Sequence, residues 1–396
     1  MLVAFSIDNF LSFASRQTLS MVPSLEGGVK GHRIDLGEFA VLKTAVIYGA
    51  NASGKSNLLK GFTIGCRLIR GDAGFDLSAI RDFYAKTKSV NRSRPTLFEY
   101  TFYCEGKAFT YGFEILLDKS KVLNEWLYEI DPRTDRERLI FLRDVGKGTV
   151  EFGDGYPHMD LENLKDDCLA LTHARDREPY RLALSWFQEK VKIHRDGGND
   201  YGYAARFPAD KEEFLALLGR FDTGIVDMKL ENQTENTMLF RRGRDLYAHG
   251  YDVPVRFRHL NSDFPFSYGD ESTGTQRLID FTDFLVRPPE DGIFLIDEID
   301  RGIHPLLGKK MIEEFNRRYA DFPCQLVFTT HNASLLSDAL FRRDEVWFVE
   351  KGEDGASRLF SLDIFKEHYA DPKEAYLRGA FGAIPMLGKD ENSDGD

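Results

Sequence analysis

Hydrophobic and polar positions change their spacing several times along the chain, and each change predicts a different element. Val3, Phe5 and Ile7 alternate with other residues up to a polar break at Asp8-Asn9. Leu11-Phe13 and Thr18–Met21 follow, so residues 1–22 read as strand, turn and strand. A glycine-rich stretch through Gly27, Gly28 and Gly31 predicts a loop, and Val41–Tyr48 a buried strand. From Lys55 a helical run extends to about Arg70, where Gly71-Asp-Ala-Gly74 breaks it.

The period becomes two from Thr96 onward. Leu97–Tyr103 and Ala108–Leu117 are predicted strands joined by a hairpin loop at Glu105-Gly106-Lys107, and Val122–Ile130 is a third. Residues 158–222 are charged and lean towards helix, as in Arg181–Val191 and Lys211–Leu218, without the heptad repeat of a long coiled coil. Residues 225–260 return to short strands, with Arg241-Arg242-Gly243-Arg244 at a hairpin tip. Beyond residue 272 the pattern alternates: helix Thr275–Val286, strand Gly292–Asp297, helix Pro305–Ala320, strand Gln325–Thr330, strand Glu345–Glu350. Strands alternating with helices predict an α/β fold with helices packed on a sheet. The polar, acidic end, 388–396, is expected to be disordered.

Length and composition narrow the classes. A chain of 396 residues can bury a large core, and 42% hydrophobic with 29% charged residues is ordinary for a globular protein. The net charge of −12 argues against a nucleic-acid surface spread over the whole molecule. Cys66, Cys104, Cys168 and Cys324 are far apart, which suits neither a disulfide framework nor a zinc site and predicts a reducing compartment. The first residues lack the basic start and apolar core of a signal peptide, and no run approaches about 18 apolar residues. A cytoplasmic protein without a membrane span is expected.

The chemistry centres on Gly49-Ala-Asn-Ala-Ser-Gly-Lys-Ser56, which fits G-x-x-x-x-G-K-[ST] between a β-branched strand and a helix. Gly49 and Gly54 let the backbone curl, so that the N–H groups of Asn51, Ala52, Ser53 and their neighbours, up to Asn57 at the helix start, face phosphate oxygens. Lys55 supplies a compact positive charge near the β- and γ-phosphates, and the Ser56 hydroxyl can ligate Mg²⁺. ATP with Mg²⁺ is the expected cofactor.

Three later stretches complete that site. Ile293–Glu298 is an apolar strand ending in two carboxylates, at the strand end where α/β sheets bind ligands. Asp297 suits the metal, and Glu298 suits the role of general base towards water. Gln325–Thr330 is a second apolar strand, followed by His331, whose imidazole can meet the γ-phosphate or the attacking water. Ser272-Thr-Gly274 at a helix start offers N–H groups, a hydroxyl and the positive helix end to an anion.

Phosphate loop, Ser272-Thr-Gly274, acidic strand and histidine stand in an order that resembles the ABC-type ATPase heads of the SMC and RecF-like group. The likeness covers Met1 to about Tyr111 and Ser272 to His331. The opening Phe5-Ser-Ile-Asp-Asn9-Phe10-Leu-Ser-Phe13 is similar to that group's N-terminal strand motif, with Leu11 where a basic residue is usual. The signature departs at Thr273 and Thr275, where the group carries glycine and an acidic or amide residue, and no Q-loop glutamine is identifiable.

The resemblance implies a homodimer joined head to head around ATP, or a higher homo-oligomer, with Ser272 and Gly274 reaching the partner's γ-phosphate. It also places Asp300 and His304 in a loop that crosses the dimer interface.

The compact form and the ending Tyr376–Pro385 resemble stand-alone prokaryotic ATPases of the abortive-infection, OLD and PARIS type. That resemblance implies a sensor or regulator of an effector protein, such as a nuclease or toxin, in anti-phage defence. The alternative is a DNA-repair or chromosome-maintenance ATPase acting on DNA, for which Arg81, Lys86, Lys88, Arg92 and Arg94 offer a basic path. The expected organisation is an N-terminal ATPase lobe with an antiparallel β-subdomain at 1–155, a helical insertion at 156–224, a C-terminal ATPase lobe at 225–387 and the acidic tail at 388–396.

Overall fold

Strands whose residues are all buried need cover on both faces, and the phosphate-loop strand is one of these. The computed structural model describes the chain except residues 25–28, 30, 162, 175–176, 195–204, 207–210, 231–237, 243–244, 249–254, 287–290, 368 and 386–396. The acidic tail and Gly243-Arg244 of the expected hairpin tip therefore lie outside the described residues.

In chain order, β1 (Leu2–Asp8) and β2 (Gln17–Ser20) precede a small hairpin of β3 (Arg33–Asp35) and β4 (Ala40–Leu42). The phosphate-loop strand β5 (Thr44–Tyr48) leads to helix α1 (Lys55–Arg70). Five antiparallel strands follow: β6 (Thr96–Cys104), β7 (Lys107–Leu116), β8 (Lys121–Asp131), β9 (Arg136–Asp144) and β10 (Thr149–Phe152). Next come α2 (Tyr180–Ser185), β11 (Val191–His194), β12 (Ala205–Arg206) and α3 (Lys211–Arg220). The short strands are β13 (Ile225–Leu230), β14 (Met238–Arg242), β15 (Asp245–Ala248), β16 (Val255–His259) and β17 (Phe266–Ser267). The last part holds α4 (Thr273–Val286), β18 (Gly292–Ile296), α5 (Pro305–Arg318), β19 (Cys324–Thr329), β20 (Val346–Lys351), β21 (Ser357–Ser361) and α6 (Pro372–Leu377).

The central sheet has the order β11-β18-β19-β5-β20-β21, parallel throughout except for the antiparallel edge strand β21. Its residues divide by face with a period of two. Ala45, Ile47, Ile293, Leu295, Val327 and Val349 join the core shared with α1 and the second sheet. Val46, Tyr48, Phe294, Ile296, Leu326 and Phe328 join the core built with α3, α4 and α5. The α/β class expected from the alternation of elements is the observed one.

The second sheet is larger than its expected three strands. It has seven, in the order β10-β9-β8-β7-β6-β1-β2, because the N-terminal pair β1–β2 adds to β6. Helix α1 lies between the two sheets, and two glycines set how closely it approaches the second. A Cβ on Gly65 would lie 2.0 Å from Tyr100 Oη, and one on Gly61 would lie 2.2 Å from Ile7 Cδ1. The Tyr100 hydroxyl donates to Phe62 O at 2.8 Å, so a polar contact also fixes the spacing.

Gln325 ties the sheets together at their other end. Its side-chain oxygen accepts from Leu2 N at 2.6 Å, and its amide donates to Leu2 O and Leu42 O, both at 2.9 Å. It is fully buried with every contact satisfied by backbone.

Two local expectations change. Val41–Tyr48 is two strands, because β4 pairs with β3 while β5 enters the central sheet. Lys43 sits at the break, buried, with its ammonium donating to the carbonyls of Tyr319 and Ala320 at the end of α5.

The helix expected over Arg181–Val191 ends early. After α2 the backbone widens into a π-turn at Trp186–Lys190, and Val191 starts β11 beside β18. Arg70 at the end of α1 holds that corner, donating to Phe187 O at 2.6 Å and Val191 O at 2.8 Å. The stretch read as helical thus also supplies an edge strand of the nucleotide sheet.

Candidate functional site

The parallel strands β5, β18 and β19 place their C-terminal ends side by side, and each end carries part of the candidate site. Between β5 and α1 the phosphate loop turns through Gly49 at φ 155°, Ala52 at φ 60° and Gly54 at φ 118°. Both glycines are required by their neighbours. A Cβ on Gly49 would lie 2.3 Å from Val349 O, and one on Gly54 would lie 2.3 Å from Ser357 Oγ. Asn51, Ala52 and Ser56 are exposed, whereas Ser53, Gly54 and Lys55 are buried. The Asn57 side chain donates to Ser12 Oγ at 2.9 Å.

Lys55 folds back over the loop. Its ammonium donates to Gly49 O at 2.8 Å and Ala50 O at 2.9 Å, and it lies 3.4 Å from His331 Nδ1. Burial lowers its pKa to about 8, against the opposing pull of Glu298, Asp297 and Asp300.

His331 Nε2 lies 3.5 Å from Glu298 Oε1. One row of groups therefore runs from the phosphate-loop lysine through the imidazole to the carboxylate.

The carboxylate pair is held from β19. Thr329 donates its hydroxyl hydrogen to Asp297 Oδ1 at 2.5 Å and accepts from Glu298 N at 2.7 Å. Glu298 adopts φ 47°, in the left-handed region that a side chain with a Cβ rarely occupies. Strain of that kind persists only where the surroundings enforce it, and it concentrates at functional sites. Asp300 is tied by Thr330 Oγ1 at 2.9 Å, and burial raises its pKa.

Ser56 and Asp297 border one cavity of about 440 Å³, so a hydroxyl and a carboxylate oxygen open on the same space. Those are hard oxygen donors, and they fit Mg²⁺.

Not every expected residue joins this group. Ser272 serves as a helix cap, accepting from Thr275 N at 3.1 Å and sharing a hydrogen bond with the Thr275 hydroxyl. Gly274 packs against the loop after Glu298, where a Cβ would lie 2.6 Å from Gly302 O. His304 is a cap too, its Nδ1 accepting from Leu306 N at 3.3 Å.

Thr329, Ser12 and Ser357 were missed in the sequence. Only Thr329 carried a local signal, a hydroxyl at the end of an apolar strand.

The basic path is largely engaged within the molecule. Arg92 pairs with Asp118 at 2.7 Å, Arg81 donates to Asp118 O at 3.1 Å, and Arg94 donates to Ala14 O at 2.9 Å. Among the described residues no group of three or more His, Cys, Asp or Glu is arranged to hold a metal by itself. No described helix is long and apolar enough to cross a membrane.

The family described as "AAA domain, putative AbiEii toxin, Type IV TA system" matches residues 45–337, which contain the phosphate loop, the carboxylate pair and His331. Two of the solved structures similar to the chain are SMC heads. One, described as an SmcHead bound to the C-winged helix domain of ScpA, is 12% identical with a TM-score of 0.48, covering 91% of this chain and 97% of that one. The other, an SMC head domain from Thermotoga maritima, is 13% identical with a TM-score of 0.41, covering 91% of this chain and 98% of that one. No curated protein matches the chain.

Proposed function

The chain belongs to the AAA-domain family that matches residues 45–337, and on that premise we propose that it is an ABC-type ATPase that binds and hydrolyses ATP with Mg²⁺. The observation that carries this reading is the row Lys55, His331 and Glu298 beside a carboxylate, Asp297, clamped by Thr329. Each member has a task the geometry suits. Lys55, now spending its donors on Gly49 and Ala50 carbonyls, can turn them to phosphate oxygens. Ser56 and Asp297 would hold the metal, which supplies charge neutralisation at the phosphates. Glu298 would orient and deprotonate water, and His331 would connect that carboxylate to the phosphate end. The base and ribose would lie in the neighbouring cavity of about 540 Å³, lined by Leu11, Ser12, Asn57, Tyr84, Lys86 and Lys351.

The same reading extends to a head-to-head homodimer. Ser272 and Thr273 stand exposed at the start of α4, beside exposed Arg301 and Gly302, so an anion end is left facing outward. A second copy's γ-phosphate would complete it. The family description, which names a putative AbiEii toxin, and the resemblance of the Tyr376–Pro385 stretch support a regulatory reading by analogy: a sensor in prokaryotic anti-phage defence whose cycle licenses an effector, such as a nuclease or toxin. Direct action on DNA has less support, because three of the five basic side chains on the expected path are engaged internally.

The test is the Glu298→Gln variant, followed by ATP turnover, ATP binding and mass in solution. Turnover should vanish, binding should persist, and the ATP-bound variant should run as two copies. Normal hydrolysis by Glu298→Gln would sink the base assignment. The partner retained by this variant in ATP identifies the effector.

A further inference from the structure

The hairpin joining β20 to β21 lies far along the chain from the phosphate loop, yet its first β21 residue touches that loop from behind. Ser357 is 1% exposed, and its hydroxyl donates to Ser53 O. Its backbone N–H donates to Ser12 O at 2.7 Å, and Ser12 Oγ in turn accepts from Asn57 Nδ2 at 2.9 Å. Gly54 is enclosed between the two serines, since a Cβ there would lie 2.3 Å from Ser357 Oγ and 2.6 Å from Ser12 Oγ.

Peptide geometry gives this contact a consequence. In a trans peptide the C=O and the following N–H point in opposite directions across one plane. Holding Ser53 O towards Ser357 therefore turns the Gly54 N–H away from the hairpin. In a glycine-rich phosphate loop such N–H groups bind the anion. Gly54 at φ 118° has almost no intrinsic preference of its own, so the peptide plane needs an external anchor.

We propose that Ser357 is a positioning residue for nucleotide binding, orienting the Ser53–Gly54 peptide so that its N–H faces the phosphates. The inference rests on the ATP-binding reading above. It adds the β20–β21 hairpin to the machinery of that site, together with Ser12 as the second support of the loop.

The experiment compares ATP affinity of the full chain, Ser357→Ala and Ser361→Ala by equilibrium titration, with unliganded melting temperatures recorded for all three. Ser361 is the control: it lies on the same strand, and its hydroxyl donates to Val346 O at 3.4 Å. Ser357→Ala should weaken ATP binding about tenfold, because the Ser53–Gly54 peptide, no longer held in the free protein, must be ordered when the phosphates bind. Ser361→Ala should leave ATP affinity unchanged. Wild-type affinity in Ser357→Ala, or equal weakening in both variants, overturns the positioning role. Failure of the unaltered chain to bind ATP would overturn the ATP-binding reading and this inference with it.

Discussion

Thr329 donates its hydroxyl hydrogen to Asp297 Oδ1 across 2.5 Å, joining the ends of two adjacent parallel strands. The same oxygen accepts the Glu298 N–H at 2.7 Å, so one side chain orients the proposed metal ligand and the strained residue after it. Thr329→Val keeps the shape and removes both contacts. Outer partners of metal ligands are worth about tenfold to a hundredfold in metal affinity. The Mg²⁺ concentration giving half-maximal ATP turnover should rise by about tenfold or more in Thr329→Val. An unchanged Mg²⁺ dependence would remove Thr329 from the site.

Lys55 makes nucleotide affinity depend on pH. Burial lowers its pKa to about 8, and a phosphate beside it favours the charged ammonium, so binding raises that value. Below the free-state value the lysine is already charged and contributes no pH dependence. Above it, binding takes up a proton, and affinity should fall by about tenfold per pH unit until the bound-state pKa is reached. Calorimetric titration at about pH 9 in two buffers of different ionisation heat should show net proton uptake, with none from this group at about pH 6.5. Equal proton uptake at both values would contradict the assignment.

His331 bridges Lys55 and Glu298 at 3.4 and 3.5 Å. His331→Ala should lower turnover by about a hundredfold, the usual worth of a positioned acid–base group, while changing ATP affinity little. A variant that loses ATP affinity and keeps turnover at saturation would move His331 from catalysis to binding.

Gln325 should matter for stability and not for chemistry. Gln325→Ala would leave Leu2 N, Leu2 O and Leu42 O without their partner inside the core. A cost of about 2–4 kcal/mol is expected, read as a lower midpoint in urea unfolding. A midpoint equal to wild type would show that the two sheets do not depend on this junction.

Gly65 sets the spacing of α1 against β6. Gly65→Ala would drive a methyl into the Tyr100 hydroxyl, which is itself held by Phe62 O. The helix must then shift, at a cost of about 1–3 kcal/mol despite the better helix propensity of alanine. A stabilised variant would mean that the helix has room the packing does not suggest.

The division between what was readable locally and what was not follows interaction range. Phosphate loop, carboxylate pair and histidine each sit at the end of an apolar strand. Gly49–Ser56, Asp297-Glu298 and His331 are therefore identifiable from short stretches, and helix α1 begins and ends where its glycines say. The α/β class follows from strand and helix periodicity for the same reason. Tertiary structure decided the rest. Hydrophobic alternation names a strand but not its sheet, so β1 and β2 joining the antiparallel sheet, β11 edging the parallel one and the break at Lys43 depended on pairing across the chain. Ser357 and Thr329 acquire their roles only where folding brings a hydroxyl to a backbone carbonyl or a carboxylate. The place of Thr329 at the end of an apolar strand hints at the site, but neither hydroxyl announces its partner, because a hydrogen bond is set by distance in space and leaves no period in sequence.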